Sequence, residues 1–174
     1  MIFILERGNI MKKKITAIVL VLSMVFVMFA LTGCGSAELN RPGRSDPNKE
    51  VTTVTGSCEA YKDGNNVVVE GECDLMTGTN GTVSVYSSDG KKLALEKIVQ
   101  TQGEKISYSF PIEESWGDEV YGFITFDTTQ SERQPDEVRE AYGKAMEYIE
   151  GDNVVWDARG NAVCFQSEAV DLTK

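Results

Sequence analysis

The amino-acid sequence predicts a mainly β fold, an antiparallel β-sandwich with one α-helix in its C-terminal half. From residue 51 onward, apolar residues recur at every second position, and turns rich in Gly, Asn and Asp interrupt them. About eight short strands at regular spacing are typical of a sandwich. One stretch, 135–151, instead has the 3.6-residue period of a helix. We therefore expect a folded domain over residues 51–174.

Six predicted strands precede the helix, and turn signals separate them. Their ranges are 51–61, 67–75, 82–86, 92–99, 105–112 and 119–126. The stretch SSDGK at residues 87–91 is a strong hairpin signal between the third and fourth strands. The strand 119–126 is apolar on both faces, which predicts a central position in its sheet.

The predicted helix spans residues 135–151 and is followed by a last hairpin. Pro135 suits its first turn, and Gly151 suits its C-terminal cap. The apolar residues that share its buried face are Val138, Tyr142, Met146 and Ile149. The strands of the hairpin are expected at 153–156 and 162–170.

Residues 117–121, GDEVY, carry a resemblance to a known fold. They resemble the turn into a strand that bears a tyrosine in immunoglobulin-like sandwiches. The resemblance covers five residues and implies an immunoglobulin-like arrangement of the strands, but it implies nothing about function.

The N-terminal region has the order of a secretory signal. Three lysines at 12–14 precede 17 uncharged residues, 15–31, and small residues follow before Cys34. The segment is complete when read from Met11, and residues 6–9 can be encoded by a purine-rich, ribosome-binding-like stretch. We therefore expect that residues 1–10 are an over-called start.

Residues 11–34 resemble the signal peptides of bacterial lipoproteins. LTGC at residues 31–34 fits the four-residue lipobox of that family at every position. The resemblance implies that Cys34 receives a diacylglycerol and becomes the first residue of the mature protein. An uncleaved transmembrane anchor is the alternative interpretation. Both place the rest of the chain outside the cytoplasm, because the basic cluster at 12–14 stays inside.

The mature chain is strongly acidic. Four of the 17 basic and one of the 27 acidic residues lie in residues 1–33, which leaves 13 basic and 26 acidic residues and a net charge of −13. Such a surface repels nucleic acid and anionic lipid headgroups, so the lipid on Cys34 would have to hold the protein at the membrane. Residues 34–50 contain two prolines and two glycines and are expected to be a flexible tether.

Three further cysteines follow, at positions 58, 73 and 164. If Asn65 and Asn66 are the central residues of the first hairpin turn, Cys58 lies opposite Cys73 and a disulfide can form. If the turn is centred two residues earlier, on 63 and 64, the two cysteines are too far apart. The alternative to a bond is that all three thiols are buried as small apolar residues, and Cys164 is expected in the core.

No metal site or catalytic constellation is predicted. The chain has no C-x-x-C spacing and no histidine, which leaves no zinc ligand set and no common general base. No cofactor is expected.

The candidate site is the acidic stretch 113–120, EESWGDEV. Its carboxylates, Glu113, Glu114, Asp118 and Glu119, surround Trp116. They could bind a sugar or a cationic peptide, or serve a glycosidase-like reaction. The structural alternative is an ordinary acidic loop whose tryptophan folds back onto the core.

The sequence therefore predicts a lipid-anchored, extracytoplasmic binding or adaptor module of the bacterial cell envelope that is not an enzyme. Its expected partners are the membrane, through the Cys34 lipid, and an unidentified protein or glycan, but no nucleic acid. The alternatives are an envelope glycan hydrolase that uses the acidic loop and a purely structural envelope domain.

Overall fold

Strands of alternating apolar residues make up most of the computed structural model, which describes residues 43–101, 103–128, 133–157 and 160–174. Within these ranges the chain is mainly β, with antiparallel sheets and one α-helix, as the sequence predicts. One two-residue strand pair is parallel. The predicted signal segment and the predicted lipobox with Cys34 lie outside the described residues.

The described residues form eleven strands and one α-helix, which are numbered in chain order. They are β1 (Thr52–Thr53), β2 (Gly56–Asp63), β3 (Asn66–Cys73), β4 (Asn80–Ser87), β5 (Lys92–Val99), β6 (Ile106–Pro111), β7 (Glu119–Phe126), α1 (Asp136–Tyr142), β8 (Ile149–Glu150), β9 (Val154–Asp157), β10 (Gly160–Gln166) and β11 (Val170–Asp171).

The strands form two main antiparallel sheets. The larger sheet has the order β5-β4-β7-β10-β9, and β11 also pairs with β7. The predicted central position of strand 119–126 is confirmed, because β7 lies in the middle of this order. The smaller sheet has the order β2-β3-β6. β1 pairs with β8 in a separate parallel pair.

The smaller sheet packs against the middle of the larger one. A Cβ placed on Gly122 of β7 would lie 2.9 Å from the Cβ of Ala60 and 2.9 Å from Cγ2 of Val69. Gly71 of β3 similarly approaches the side chain of Ile124. The core lies between these faces and is built mainly from branched aliphatic and aromatic side chains, among them Val67, Val69, Val83, Val85, Ile124, Phe126, Val163 and Phe165.

The first hairpin has a register that differs from both predicted ones. Asp63 pairs with Asn66, so Gly64 and Asn65 are the two central turn residues. Gly64 has φ 58°, and Asn65 is not among the residues with positive φ. Glycine with positive φ at the first central position is the signature of a type II′ turn, which matches the twist of a hairpin. The turn therefore lies one residue from either predicted centre.

The α-helix is shorter than predicted. It ends at Tyr142, and Gly143, a poor helix former, serves as its C-cap. Met146 has φ 53°, and Ile149 belongs to β8, which pairs with β1 instead of continuing the helix. The predicted helix over 135–151 is thus wrong beyond residue 142, although Val138, Tyr142, Met146 and Ile149 are all buried.

The folded chain begins earlier than residue 51. The backbone N–H of Asp46 and the hydroxyl of Ser45 both bond to the hydroxyl of Tyr148. Lys49 donates a hydrogen bond to the carbonyl of Glu140. The expectation of a flexible tether over residues 34–50 is therefore wrong for residues 45–49, because hydrogen bonds hold this segment against the C-terminal half of the domain.

No helix among the described residues combines the length and the apolar character needed to cross a membrane.

Candidate functional site

The predicted acidic stretch forms the loop between β6 and β7. Residues Glu114–Trp116 form one turn of 3-10 helix, in which the Trp116 N–H donates to the carbonyl of Glu113 at 3.0 Å. The carboxylate-bearing residues of the loop are all exposed, and they are Glu113, Glu114, Asp118 and Glu119. These side chains can meet a partner of opposite charge without any rearrangement of the backbone.

Trp116 does not share that surface. Its side chain is 3% exposed and belongs to the hydrophobic core. The interpretation of Trp116 as an exposed ligand contact is therefore wrong. The physical reason is local: the 3-10 turn reverses the chain and directs the ring inward, while the polar neighbours remain in solvent. A large aromatic ring gains more from burial than from exposure on a loop.

Tyr121 lies at the edge of the same region. Its hydroxyl donates to Oε1 of Glu119 at 3.0 Å. Partial burial and, second, the Glu119 carboxylate raise the pKa of Tyr121. In the tyrosine corner of immunoglobulin domains the hydroxyl instead bonds to the backbone several residues upstream. The local resemblance of residues 117–121 to that corner is therefore wrong.

The acidic loop is fixed to the C-terminal segment. The N–H of Leu172 donates to the carbonyl of Asp118 at 2.9 Å, and Asp171 of β11 pairs with Glu119 of β7. Asp171 also receives bonds from Lys174 and Thr173, which lower the pKa of its carboxyl. The loop and this segment together form one end of the domain.

A shallow groove of about 620 Å³ lies at this same end, between the last part of β2 and the C-terminal segment. Its lining residues are Ala60, Tyr61, Lys62, Gly64, Ala169, Val170, Asp171 and Lys174. Tyr61 is 44% exposed and provides an aromatic surface. Nζ of Lys62 donates to the carbonyls of Leu172 and Lys174, at 2.8 Å each, and so ties the two walls together.

No sequence pattern predicts this groove. Its two walls are more than 100 residues apart in the chain, and neither wall has a motif. The pairing of β11 with β7 and the packing of β2 against β7 bring them together. The one sequence feature that indicates a groove is Tyr61, an aromatic residue close to a turn for which no partner in the core is expected.

The predicted Cys58–Cys73 disulfide is not formed. In the observed register Cys58 faces Gly71, and Cys73 faces Gly56. Cys58, Cys73 and Cys164 are free thiols. Burial raises the pKa of Cys58 to about 12 and that of Cys73 to about 11, and it also raises the pKa of Cys164. Protonated, buried thiols are poor nucleophiles and poor metal ligands.

Cys164 lies on the outer face of the larger sheet, not in the core as expected. It is only partly buried, whereas its neighbours Val163 and Phe165 are buried in the core. The hydroxyl of Thr125, the residue opposite Cys164 on β7, lies 3.7 Å from its sulfur.

A second charged cluster lies on the outer face of the smaller sheet. Glu70 of β3 is directly opposite Glu59 of β2, a like-charge pair that is unfavourable by itself. Lys105 and, second, Ser107 bond to the Glu70 carboxylate and lower its pKa. Lys105 thus offsets one of the two negative charges, and Ser107 of β6 bonds to the same carboxylate on β3.

In the part of the chain that the structure describes, no three metal-ligating side chains are grouped to hold an ion. No protein-family model, curated protein or solved structure matches this chain.

Proposed function

We propose that this chain is a lipid-anchored binding or adaptor module on the extracytoplasmic side of the bacterial cell membrane. The observation that carries the proposal is LTGC at 31–34, placed directly after 17 uncharged residues and a lysine cluster. A lipobox in this position provides both the export signal and the site of lipid attachment. Two acyl chains on one cysteine are enough for stable anchoring, so no further membrane contact is required.

We also propose that the folded domain is an immunoglobulin-like sandwich. The order β2-β3-β6 in one sheet and β5-β4-β7-β10 in the other supports this proposal. Along the chain, these orders correspond to strands A-B-E and C′-C-F-G of immunoglobulin-like domains. In this scheme α1, β8 and β9 are an insertion between the last two strands.

The contact surface of the module is the end formed by the acidic loop and the groove. Exposed carboxylates at Glu113, Glu114 and Asp118 lie on a loop that is held to the C-terminal segment. The ring of Tyr61 and the side chain of Lys62 line the adjacent groove. This combination suits a protein or glycan partner that brings basic groups to the loop. Because the walls are hydrogen-bonded to each other, binding needs little ordering.

Replacing Cys34 tests the anchoring. Cys34→Ala should abolish both incorporation of labelled fatty acid and cleavage before residue 34. A matched Cys58→Ala variant should retain both, because Cys58 lies in β2 of the folded domain, 24 residues after the predicted lipidation site. If Cys34→Ala is still labelled through acyl chains, the lipobox interpretation is wrong.

Neutralising the loop tests the contact surface. We expect the triple variant Glu113→Gln, Glu114→Gln, Asp118→Asn to lose the partners that crosslink to the wild-type chain in intact membranes. A control with three other exposed carboxylates changed, Glu72→Gln, Glu96→Gln and Glu104→Gln, removes the same charge elsewhere. Equal loss in both variants would mean that net charge, and not this loop, determines binding.

A further inference from the structure

Residues 44–54, named the strap here, run along the C-terminal half of the domain. Tyr148 is the centre of their attachment. Its hydroxyl lies 2.7 Å from Oγ of Ser45 and accepts the N–H of Asp46 at 2.6 Å. Tyr148 is only 3% exposed, and both bonds are partly buried, which reduces the competition from water.

Lys49 adds a second attachment at the same residue. Its ammonium lies 4.6 Å from the centre of the Tyr148 ring and donates to the carbonyl of Glu140. Arg44 and Glu150 form a further ion pair at 3.5 Å, but both are well exposed, and such a pair contributes little. The first part of the strap, residues 44–49, is therefore held chiefly by one buried tyrosine.

The last residues of the strap, 52–54, are hydrogen-bonded to the chain at Tyr148 and Glu150. The N–H of Thr52 donates to the carbonyl of Tyr148 at 2.8 Å, and the N–H of Val54 donates to that of Glu150 at 2.7 Å. The side chain of Val54 is buried in the core. The chain then enters β2 at Gly56.

The strap and the acidic loop lie at opposite ends of the smaller sheet. Gly56, where the strap ends, pairs with Cys73 at one end of β3. Pro111, where the acidic loop begins, pairs with Asn66 at the other end of β3. β3 has eight residues, which corresponds to roughly 25 Å.

We infer that the strap fixes the orientation of the domain at the membrane, with the strap end facing the bilayer and the acidic-loop end facing away. This inference depends on the proposed lipidation of Cys34. Gly43 is nine residues after Cys34, and nine residues reach about 30 Å at most. A free chain up to Gly56 would reach more than twice as far, roughly 75 Å. The docked strap therefore keeps its own end close to the lipid and directs the contact surface outward.

Energy transfer to the bilayer tests the orientation. A donor dye is attached at Lys144→Cys, at the strap end, or at Asn65→Cys, in the opposite hairpin turn, and both positions are exposed. The full lipidated chain is placed in phosphatidylcholine vesicles that carry an acceptor on the headgroup. We expect at least twofold higher transfer from position 144 than from position 65. Equal transfer, or higher transfer from 65, would overturn the inference.

Two controls separate the strap from the anchor. A Gly-Ser spacer of about 20 residues inserted after Gly43 should reduce the difference, because it lengthens only the free chain. If lipidation itself fails, neither label shows transfer and the chain does not float with the vesicles, which is a different result from equal transfer.

Hydrogen exchange tests the attachment at Tyr148 directly. Tyr148→Phe keeps the ring but removes the acceptor of the Asp46 amide, so that amide should exchange at least tenfold faster than in the wild-type chain. Tyr61→Phe, which removes an exposed hydroxyl elsewhere, should leave it unchanged. Unchanged exchange in Tyr148→Phe would mean that the strap is not held by this residue.

Discussion

Trp116 and its acidic neighbours behave differently although they are adjacent in the chain. The ring is part of the hydrophobic core, while Glu113, Glu114 and Asp118 remain exposed. The division follows from the cost of burying charge compared with the gain from burying an aromatic ring. At this site the tryptophan positions the loop, and the carboxylates are available for contact.

Trp116→Ala should destabilise the domain by about 3–5 kcal/mol, because it removes a large buried side chain and leaves a cavity. Urea denaturation measures the change. Glu114→Ala, two residues away and exposed, should change stability by less than about 0.5 kcal/mol. A Trp116→Ala variant as stable as the wild type would contradict the burial of the ring.

The thiols of Cys58 and Cys73 should react slowly in the folded protein. With a pKa raised from 9.0 to about 12, Cys58 has about a thousandfold less thiolate at pH 8 than an unfolded chain. Alkylation followed by peptide mapping should show both positions unmodified until denaturant is added. Fast modification of Cys58 under native conditions would contradict its desolvation.

The raised pKa of Cys58 also makes the stability of the domain depend on pH. Since the folded pKa lies above the unfolded one, the unfolded state loses its proton first as the pH rises. The free energy of unfolding should therefore fall between about pH 9 and pH 12, and Cys58→Ala should make that fall shallower. If the free energy of unfolding falls equally steeply with pH in the wild type and in Cys58→Ala, groups other than Cys58 cause the fall.

At the scale of single elements, the first hairpin shows what the sequence can predict. Period-two alternation located both strands and the face of β3 that carries Val67, Val69 and Cys73. It could not choose among three adjacent turn positions in DGNN, because each pair contains turn-forming residues. If the turn shifts by one residue, every residue of one strand faces a different residue of the other. A disulfide between Cys58 and Cys73 is compatible with the hairpin only for a turn centred on Asn65 and Asn66, one residue from the observed turn.

Gly64→Ala should cost about 1 kcal/mol, since φ 58° is unfavourable for a residue with a Cβ. No neighbouring atom lies close enough to clash, so the loss measures backbone strain alone. Gly64→Asn should cost less, because asparagine tolerates this conformation better. Thermal melts of the two variants provide the comparison, and equal stability of Gly64→Ala and the wild type would argue against the observed turn.

The helix shows a different limit of sequence reasoning. Val138, Tyr142, Met146 and Ile149 are all buried, as their spacing predicts, but only the first two are helical. Burial at intervals of three and four residues does not require continuous helical hydrogen bonds. The parallel partner of Ile149 is Thr52, almost 100 residues earlier, and no local pattern contains that pairing.

At the scale of the whole molecule, the close approach of the two sheets depends on residues without side chains at the contact. A Cβ on Gly122 would lie 2.9 Å from Ala60 and Val69, a separation that forces the sheets or the side chains to move. The local signals predicted the mainly β class and the central position of β7. The strap and the groove depend on contacts across more than 90 residues, and the placement of the acidic loop depends on the pairing of β3 with β6, so no local sequence pattern contains any of the three.

Gly122→Ala should therefore destabilise the domain by about 1–3 kcal/mol through overpacking. Tyr121→Phe, in the same strand but with its side chain on the other face, should cost less than about 1 kcal/mol, because it removes one exposed hydrogen bond. Denaturation curves compare the two. A neutral Gly122→Ala would mean that the sheets are farther apart than described.

The mass of the mature N-terminal peptide decides whether the chain is anchored through Cys34. The protein is extracted from membranes, digested and analysed by mass spectrometry. We expect a peptide that begins at residue 34 and carries a diacylglycerol on the Cys34 sulfur. A peptide that extends into residues 11–33, or one that begins elsewhere with an unmodified Cys34, would contradict it.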